Sequence, residues 1–248
     1  MYPRIGYSLI VLFSVITCGS LKEIPDYIKI CKWNPATIDA CVKDSIESLR
    51  PHLNKGIQEL EVPGIEPFYI SELVAINNNS SPLHAVGKDI KVTGAGNFII
   101  ENLSIDLDNF VSSFRVKFEK LFFKGKYKVD IQLLLPLKGE GTMTAESKGV
   151  VAEFVLRSQP VHKDGKEYIK FTSLDTNIDM KDYKVKLEGL FNGDKVLGDA
   201  ANEAINQNKA DFLKATKPSL EATISKLLLE SANKIVYGLT FDQLIPKP

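Results

Sequence analysis

The side chains in this 248-residue sequence that could do chemistry are three histidines, three cysteines and a few close acidic pairs. His52, His84 and His162 could act as bases or metal ligands. None has a second His or Cys at the helical or loop spacing that such work requires, so each reads as an exposed or internally satisfied residue. No Gly-x-Ser-x-Gly elbow is present to present a nucleophile. Gly87-Lys88, Gly125-Lys126 and Gly165-Lys166 lack the spacing and the Ser/Thr of a phosphate loop. Gly94-Ala95-Gly96 and Gly139-Glu140-Gly141 read as hairpin or bulge glycines, because neither opens a helix after a strand. Asp106 and Asp108 fall on the solvent face of a strand pattern, not in an acid–base couple. The expectation is therefore no catalytic residue, no metal and no cofactor: a binding protein rather than an enzyme.

The cysteines carry a different message. Cys31 and Cys41 stand apart from any histidine, and two thiolates do not complete a zinc site. In an oxidising compartment an isolated pair reads as one disulfide, contributing roughly 2–3 kcal/mol for so short a loop. It would clip an N-terminal arm, carrying Trp33 packed on it, to the start of a helix. The compartment is indicated by residues 1–19, where Arg4 precedes an apolar run from Leu9 to Ile16. Thr17 and Gly19 follow, placed as in a cleavage site. That order is a secretory signal peptide; the run is too short for a bilayer span of roughly 20 residues. Residues 20–248 then form a single domain.

Cleavage removes one basic residue, Arg4, from a balance of 31 basic and 31 acidic, so the mature chain has a net charge of −1. Such a chain has no field to attract a nucleic acid. No later segment is apolar enough for stable membrane insertion. A secreted, extracellular monomer is expected. Sequons at Asn78, Asn79 and Asn102 are glycosylation candidates.

The elements must explain what such a chain binds. Ile38, Val42, Ile46, Leu49 and Leu53 recur at helical spacing and predict a helix over residues 37–53, bent by Pro51 and stopped by Gly56. From Phe68 to about Leu190 the period becomes two. Leu103, Ile105 and Leu107 alternate with polar residues, as do Phe114, Val116 and Phe118, then Tyr127, Val129, Ile131, Leu133 and Leu135. Met180, then Tyr183, Val185 and Leu187, continue the pattern. One greasy and one wet face mark an antiparallel sheet covered on one side. From Val196 to Tyr237 the step returns to three or four. That run would be about 60 Å of helix, which Pro218 should bend or interrupt. The fold class is α+β: a curved antiparallel sheet around a long C-terminal helix, with an N-terminal helix. Where the helix does not fill the roll, apolar pockets form. The alternative is a roll filled by its own side chains, which would make the chain an interaction or signalling protein. A lipid-modifying enzyme would need a nucleophile–base pair, and none is visible.

Several segments in order resemble the insect takeout/juvenile hormone-binding protein family. They are Cys31 with Asp39-Ala40-Cys41, Ser45-Ile46-Glu47-Ser48-Leu49-Arg50-Pro51 and Lys55-Gly56-Ile57-Gln58-Glu59-Leu60. Lys124-Gly125-Lys126-Tyr127, Leu134-Leu135-Pro136-Leu137-Lys138-Gly139-Glu140-Gly141, Asp164-Gly165-Lys166-Glu167-Tyr168 and Leu190-Phe191-Asn192-Gly193-Asp194-Lys195-Val196-Leu197-Gly198 complete the series. The resemblance covers nearly all of the mature chain. It implies a strongly curved sheet wrapped on a long helix, as in the wider TULIP-like lipid-binding superfamily, and an apolar interior. It also implies a small hydrophobic ligand, a juvenile hormone-like terpenoid or a long-chain fatty-acyl lipid. The haemolymph hormone carriers have a second disulfide whose cysteines this chain lacks, so the resemblance leans to the takeout branch.

The family's pocket positions lie outside these motifs. The cavity-wall candidates therefore come from inward-facing positions: Tyr127, Val129, Ile131, Leu133, Met143, Phe154, Tyr168, Phe171, Leu197 and Phe212. A hydroxyl of Tyr127, Tyr168 or Tyr183 is a candidate to orient a polar group on the ligand.

Overall fold

The computed structural model describes residues 23–77, 84–132 and 136–247. Residues 1–22, and with them the proposed signal peptide and Cys18, lie outside the described residues, as do Asn78, Asn79 and Leu133.

Helix α1 spans Ile38–Lys55. Ile38, fully buried, packs with Cys31 and Leu107. Asp39, in the first turn, accepts the Ile105 N–H at 2.8 Å, which ties the helix to the sheet. The helix runs through Pro51 and ends where Gly56 takes φ 95°, a left-sided conformation that costs glycine nothing. The Cys31–Cys41 disulfide forms, with Cα atoms 5.9 Å apart. Strands β1 (Gly56–Ile57) and β2 (Val62–Pro63) then pair in a short hairpin.

The main sheet follows: β3 (Phe68–Asn77), β4 (His84–Thr93), β5 (Ile99–Asp106), β6 (Val111–Gln132), β7 (Pro136–Lys163) and β8 (Lys166–Leu187). All neighbours are antiparallel, in the order β3-β4-β6-β7-β8. β5 pairs with the first part of β6 and β4 with its second part, so β4 and β5 share one edge of β6 end to end. A straight 28-residue strand such as β7 would span about 90 Å. Strands of that length close on a core only by coiling, and the sheet curls into a half-barrel.

The inward face changes parity once in each long strand. In β6 the inward residues are Phe114, Val116 and Phe118, then Leu121 and Phe123, with Glu119 and Lys120 both outside. In β7 they are Ser147 and then Val150, with Lys148 and Gly149 between. In β8 they are Met180 and then Tyr183, with Lys181 and Asp182 between. The register aligns these pairs in adjacent rows, since Lys120 faces Lys148 and Lys148 faces Asp182. Gly149 takes φ 57° at this line. The interior holds a cluster around Val116, Leu121, Val150, Ala152, Phe154 and Ile178 and a second around Tyr127, Val129, Tyr183 and Val185.

The C-terminal run forms two long helices, α2 (Lys195–Gln207) and α3 (Lys209–Val236), and a short α4 (Phe241–Leu244). The expected break at Pro218 falls instead at Asn208, whose φ −104° and ψ 45° leave the helical region; α3 continues through Pro218. Asn208 sustains the break locally, because its Nδ2 donates to the Ala204 carbonyl at 2.8 Å. α3 touches both β8 and β3, the two edges of the half-barrel, and closes its open side. Trp33 packs against the Cys31 and Ile38 cluster and on Phe241 at 5.6 Å, and its backbone N–H donates to the Pro246 carbonyl at 2.9 Å, tying the N-terminal arm to the segment after α4.

Edge strand β8 presents N–H and C=O groups that no strand pairs. The helices supply the partners. Asn202 bonds both backbone groups of Leu187, Asn206 both of Val185, and Asn233 both of Phe171. Glu221 accepts the Ile178 N–H at 2.7 Å. An edge treated in this way is closed to another strand.

Candidate functional site

A cavity of about 380 Å³ lies between the sheet and the helices. Its size falls within the range of small-molecule sites, ~300–1,000 Å³. Strand β6 supplies Phe114, Val116, Phe118, Leu121 and Phe123, and β7 supplies Ser147, Val150, Ala152 and Phe154. Ile178 and Met180 of β8, Leu103 and Ile100 of β5, and Phe68 and Ile70 of β3 extend the wall, with Val92 of β4. α1 contributes Ile46 and Leu53, and α3 contributes Leu220, Ile224 and Leu228. Ala95 and Phe98 come from the turn between β4 and β5, and Ile65 from the loop after β2. Among these residues Ser147 carries the one polar side chain.

Periodicity explains the wall. Alternating apolar residues of a strand face one side, so a half-barrel offers a continuous oily concavity. α3 meets it at i, i+4, i+8 positions, Leu220, Ile224 and Leu228. Phe154 stacks on Phe114 at 4.8 Å between centroids, which fixes both rings in the wall.

Two charged groups hold the turn that carries Ala95 and Phe98. The Glu66 carboxylate accepts the N–H groups of Gly94 and Gly96, at 2.9 and 3.0 Å. The Arg50 guanidinium lies 3.8 Å from the centroid of Phe98 and donates to the Gly96 carbonyl at 2.8 Å, with Glu47 bonded to its other nitrogens. Both charges stay outside the wall. A Cβ at Gly96 would meet Asn54 Oδ1 at 2.4 Å, so a larger residue there would require the Asn54 side chain to move.

The candidates taken from sequence fall in several places. Phe154 lines this cavity and is 6% exposed. Tyr127, Val129 and Phe212 belong to the second cluster, and Met143 packs against both clusters. Tyr168 bridges to Thr240 through its backbone. Phe171 is half-buried, with its backbone held by Asn233. Leu197 is 51% exposed at the start of α2 and is not among the wall residues of this cavity. Ile131 pairs in β6 through its backbone. Asn102 is exposed on β5.

The hydroxyls of Tyr127 and Tyr183 are committed elsewhere. Tyr127 donates to the Glu188 carbonyl at 2.9 Å and Tyr183 to the Lys209 carbonyl at 2.5 Å. Burial pushes both phenols up to about 12, helped at Tyr127 by the charge of Glu188. Neither ionises near neutrality. The polar wall residue that the sequence reading missed is Ser147. Its signal was present in the alternation Met143, Ala145, Ser147, where a serine occupies an inward position.

Among the described residues, no group of three or more His, Cys, Asp or Glu side chains could hold a metal ion. Likewise, no described helix is long and apolar enough to cross a membrane.

Comparison with known proteins agrees with this architecture. The crystal structure of Takeout 1 from Epiphyas postvittana superposes with a TM-score of 0.74, covering 88% of this chain and 99% of that one at 21% identity. At that identity the likeness is one of fold. A protein of Schistocerca gregaria named "Putative beta-carotene-binding protein" is 22% identical over 210 residues, 83% of this chain and 82% of its own length. Residues 9–246 match the sequence model of the haemolymph juvenile hormone binding protein family, and the chain belongs to that family.

Proposed function

We propose that this chain is a secreted carrier that encloses a small apolar ligand, of terpenoid or fatty-acyl type, and performs no chemistry on it. The observation that carries the reading is the cavity itself. Its wall is hydrocarbon and aromatic apart from Ser147, and two helices and six strands contribute to it. A solid interior, as the interaction-protein alternative requires, would leave no such space. Water is a poor filler: a cavity of this volume has room for at least ten waters at ~30 Å³ each, and each would want two to four polar partners. An apolar chain of about fifteen carbons gains roughly 12 kcal/mol gross on entering, at ~0.8 kcal/mol per CH₂, before ordering costs.

The family and the Schistocerca gregaria relative support a hydrophobic ligand, since the one is described by juvenile hormone and the other by a carotenoid. The N-terminal apolar run of residues 9–16 and the Cys31–Cys41 disulfide support export. The test is organic extraction of protein purified from its natural source, followed by mass spectrometry, together with titration of a fluorescent fatty-acid probe. Bound lipid and saturable probe binding are expected. Ala152→Phe, which fills the cavity from β7, should weaken the probe at least tenfold with the fold retained by circular dichroism. An unliganded natural protein that also ignores the probe would end the carrier reading.

A further inference from the structure

The Ser147 hydroxyl is buried, with less than 1 Å² of its Oγ exposed, and it has no hydrogen-bond partner. It is one of two such side-chain atoms among the described residues, and the other, Asn54 Oδ1, belongs to no residue of the cavity wall. A buried hydroxyl without a partner is costly and rare, and it asks for an explanation. Its cross-strand neighbours are Leu121 of β6 and Tyr183 of β8. Leu121 is hydrocarbon, and the Tyr183 hydroxyl is already given to Lys209. No protein group bonds the Ser147 Oγ, and Ser147 is a residue of the cavity wall.

We infer that Ser147 is the specificity-determining contact of this cavity, where it hydrogen-bonds a single neutral oxygen of the ligand and places it at the end abutting the Tyr127–Tyr183 cluster. The inference rests on the carrier reading. Ser147 is a wall residue whose Oγ exposes less than 1 Å² in this rotamer, and a hop between staggered χ1 wells would present the hydroxyl to a guest. A hydroxyl both donates and accepts, so it suits an alcohol, a ketone, an ester or an ether. No Lys, Arg or His is among the wall residues, so an ionised carboxylate would be buried there without a counter-charge. The Arg50 guanidinium is held behind Phe98 by Glu47 and the Gly96 carbonyl. A pure hydrocarbon fits the wall but leaves Ser147 unpaired. The preferred ligand is therefore a long apolar molecule with one neutral oxygen, ahead of both the matching hydrocarbon and the matching acid.

Competitive loading tests this. Delipidated full-length protein is incubated with an equimolar mixture of a straight-chain alkane, the primary alcohol and the carboxylate of the same chain length. The protein is re-isolated and its bound fraction quantified by gas chromatography. The wild type should enrich the alcohol over the alkane by roughly 5- to 30-fold, the yield of one buried hydrogen bond that rescues an unpaired group. Ser147→Ala should bring that ratio to about one while total loading persists, and Ser147→Thr, which keeps the hydroxyl, should retain it. A ratio unchanged in Ser147→Ala, or a wild type that prefers the carboxylate, overturns the role of Ser147 and leaves the carrier reading standing. A wild type that loads none of the three overturns both.

Discussion

Asn206 treats Val185 as a neighbouring strand would: its Oδ1 accepts the Val185 N–H at 2.9 Å and its Nδ2 donates to the Val185 carbonyl at 2.7 Å. One side chain on α2 thereby satisfies both free backbone groups of an edge residue. Asn206→Ala strands that pair in a half-buried interface. The expected loss is about 2–6 kcal/mol, at ~1–3 kcal/mol for each of the two unpaired groups. Urea unfolding would read it as a lower midpoint at constant slope. Asn206→Asp keeps the acceptor, loses the donor and should fall between the two.

Glu66 does similar work on the cavity wall. Its carboxylate gathers two N–H groups of the turn that positions Ala95 and Phe98. Glu66→Ala should cost about 3 kcal/mol, since hydrogen bonds to a charged group are worth ~1.5–3 kcal/mol each. It should also speed ligand exchange measured by stopped-flow displacement of a bound probe, because the turn is then free to open. Glu66→Gln retains one acceptor oxygen and should show a smaller effect on both.

Alkali should destabilise the protein through two phenols. Tyr127 and Tyr183 stay protonated in the folded chain up to about 12, whereas in the unfolded chain they ionise near ~10. Their contribution is complete below pH ~10 and is lost as pH climbs from there through 12, because the unfolded state sheds its protons first. Each phenol accounts for up to about 3 kcal/mol at a shift of this size. Thermal melts should therefore fall between these limits. Tyr127→Phe and Tyr183→Phe should each flatten the fall, and phenolate absorbance should show two tyrosines titrating late.

Reduction should loosen the N-terminal arm without emptying the cavity. The Cys31–Cys41 bridge closes a loop with a sequence separation of 10. The double variant Cys31→Ser, Cys41→Ser should lose roughly 2–3 kcal/mol. For a domain of this length that is a fall of about 4–12 °C in Tm, at ~2–4 °C per kcal/mol. Probe affinity should change little, because neither cysteine lines the cavity. A large loss of affinity would show that the arm reaches the site.

The sequence by itself determined the elements and their faces. Phe114, Val116 and Phe118 alternate in the chain and line the cavity together, because a strand's period of two is a local property of its backbone. Ile38 and Ile46 follow the helical step and face inward for the same reason. Asp39-Ala40-Cys41 and the later motifs, taken in order, indicated the family. The tertiary structure decided what periodicity cannot encode. The position of the void depends on which parts of β5, β6, β7 and α1 face one another, and that follows from register and curvature summed over the whole sheet. Tyr127 and Phe154 both face inward, yet of the two only Phe154 lines the cavity described here, because Tyr127 packs in the second cluster with Tyr183 and with Ala201 and Ile205 of α2. Helical propensity placed the interruption of the last helix at Pro218. The observed break is at Asn208, where the chain turns as it passes from α2, whose Asn202 and Asn206 bond β8, into α3, which meets both β8 and β3. The alternation Met143, Ala145, Ser147 puts a serine on the inward face, but that its hydroxyl goes unpaired is decided by neighbours that the chain brings from elsewhere.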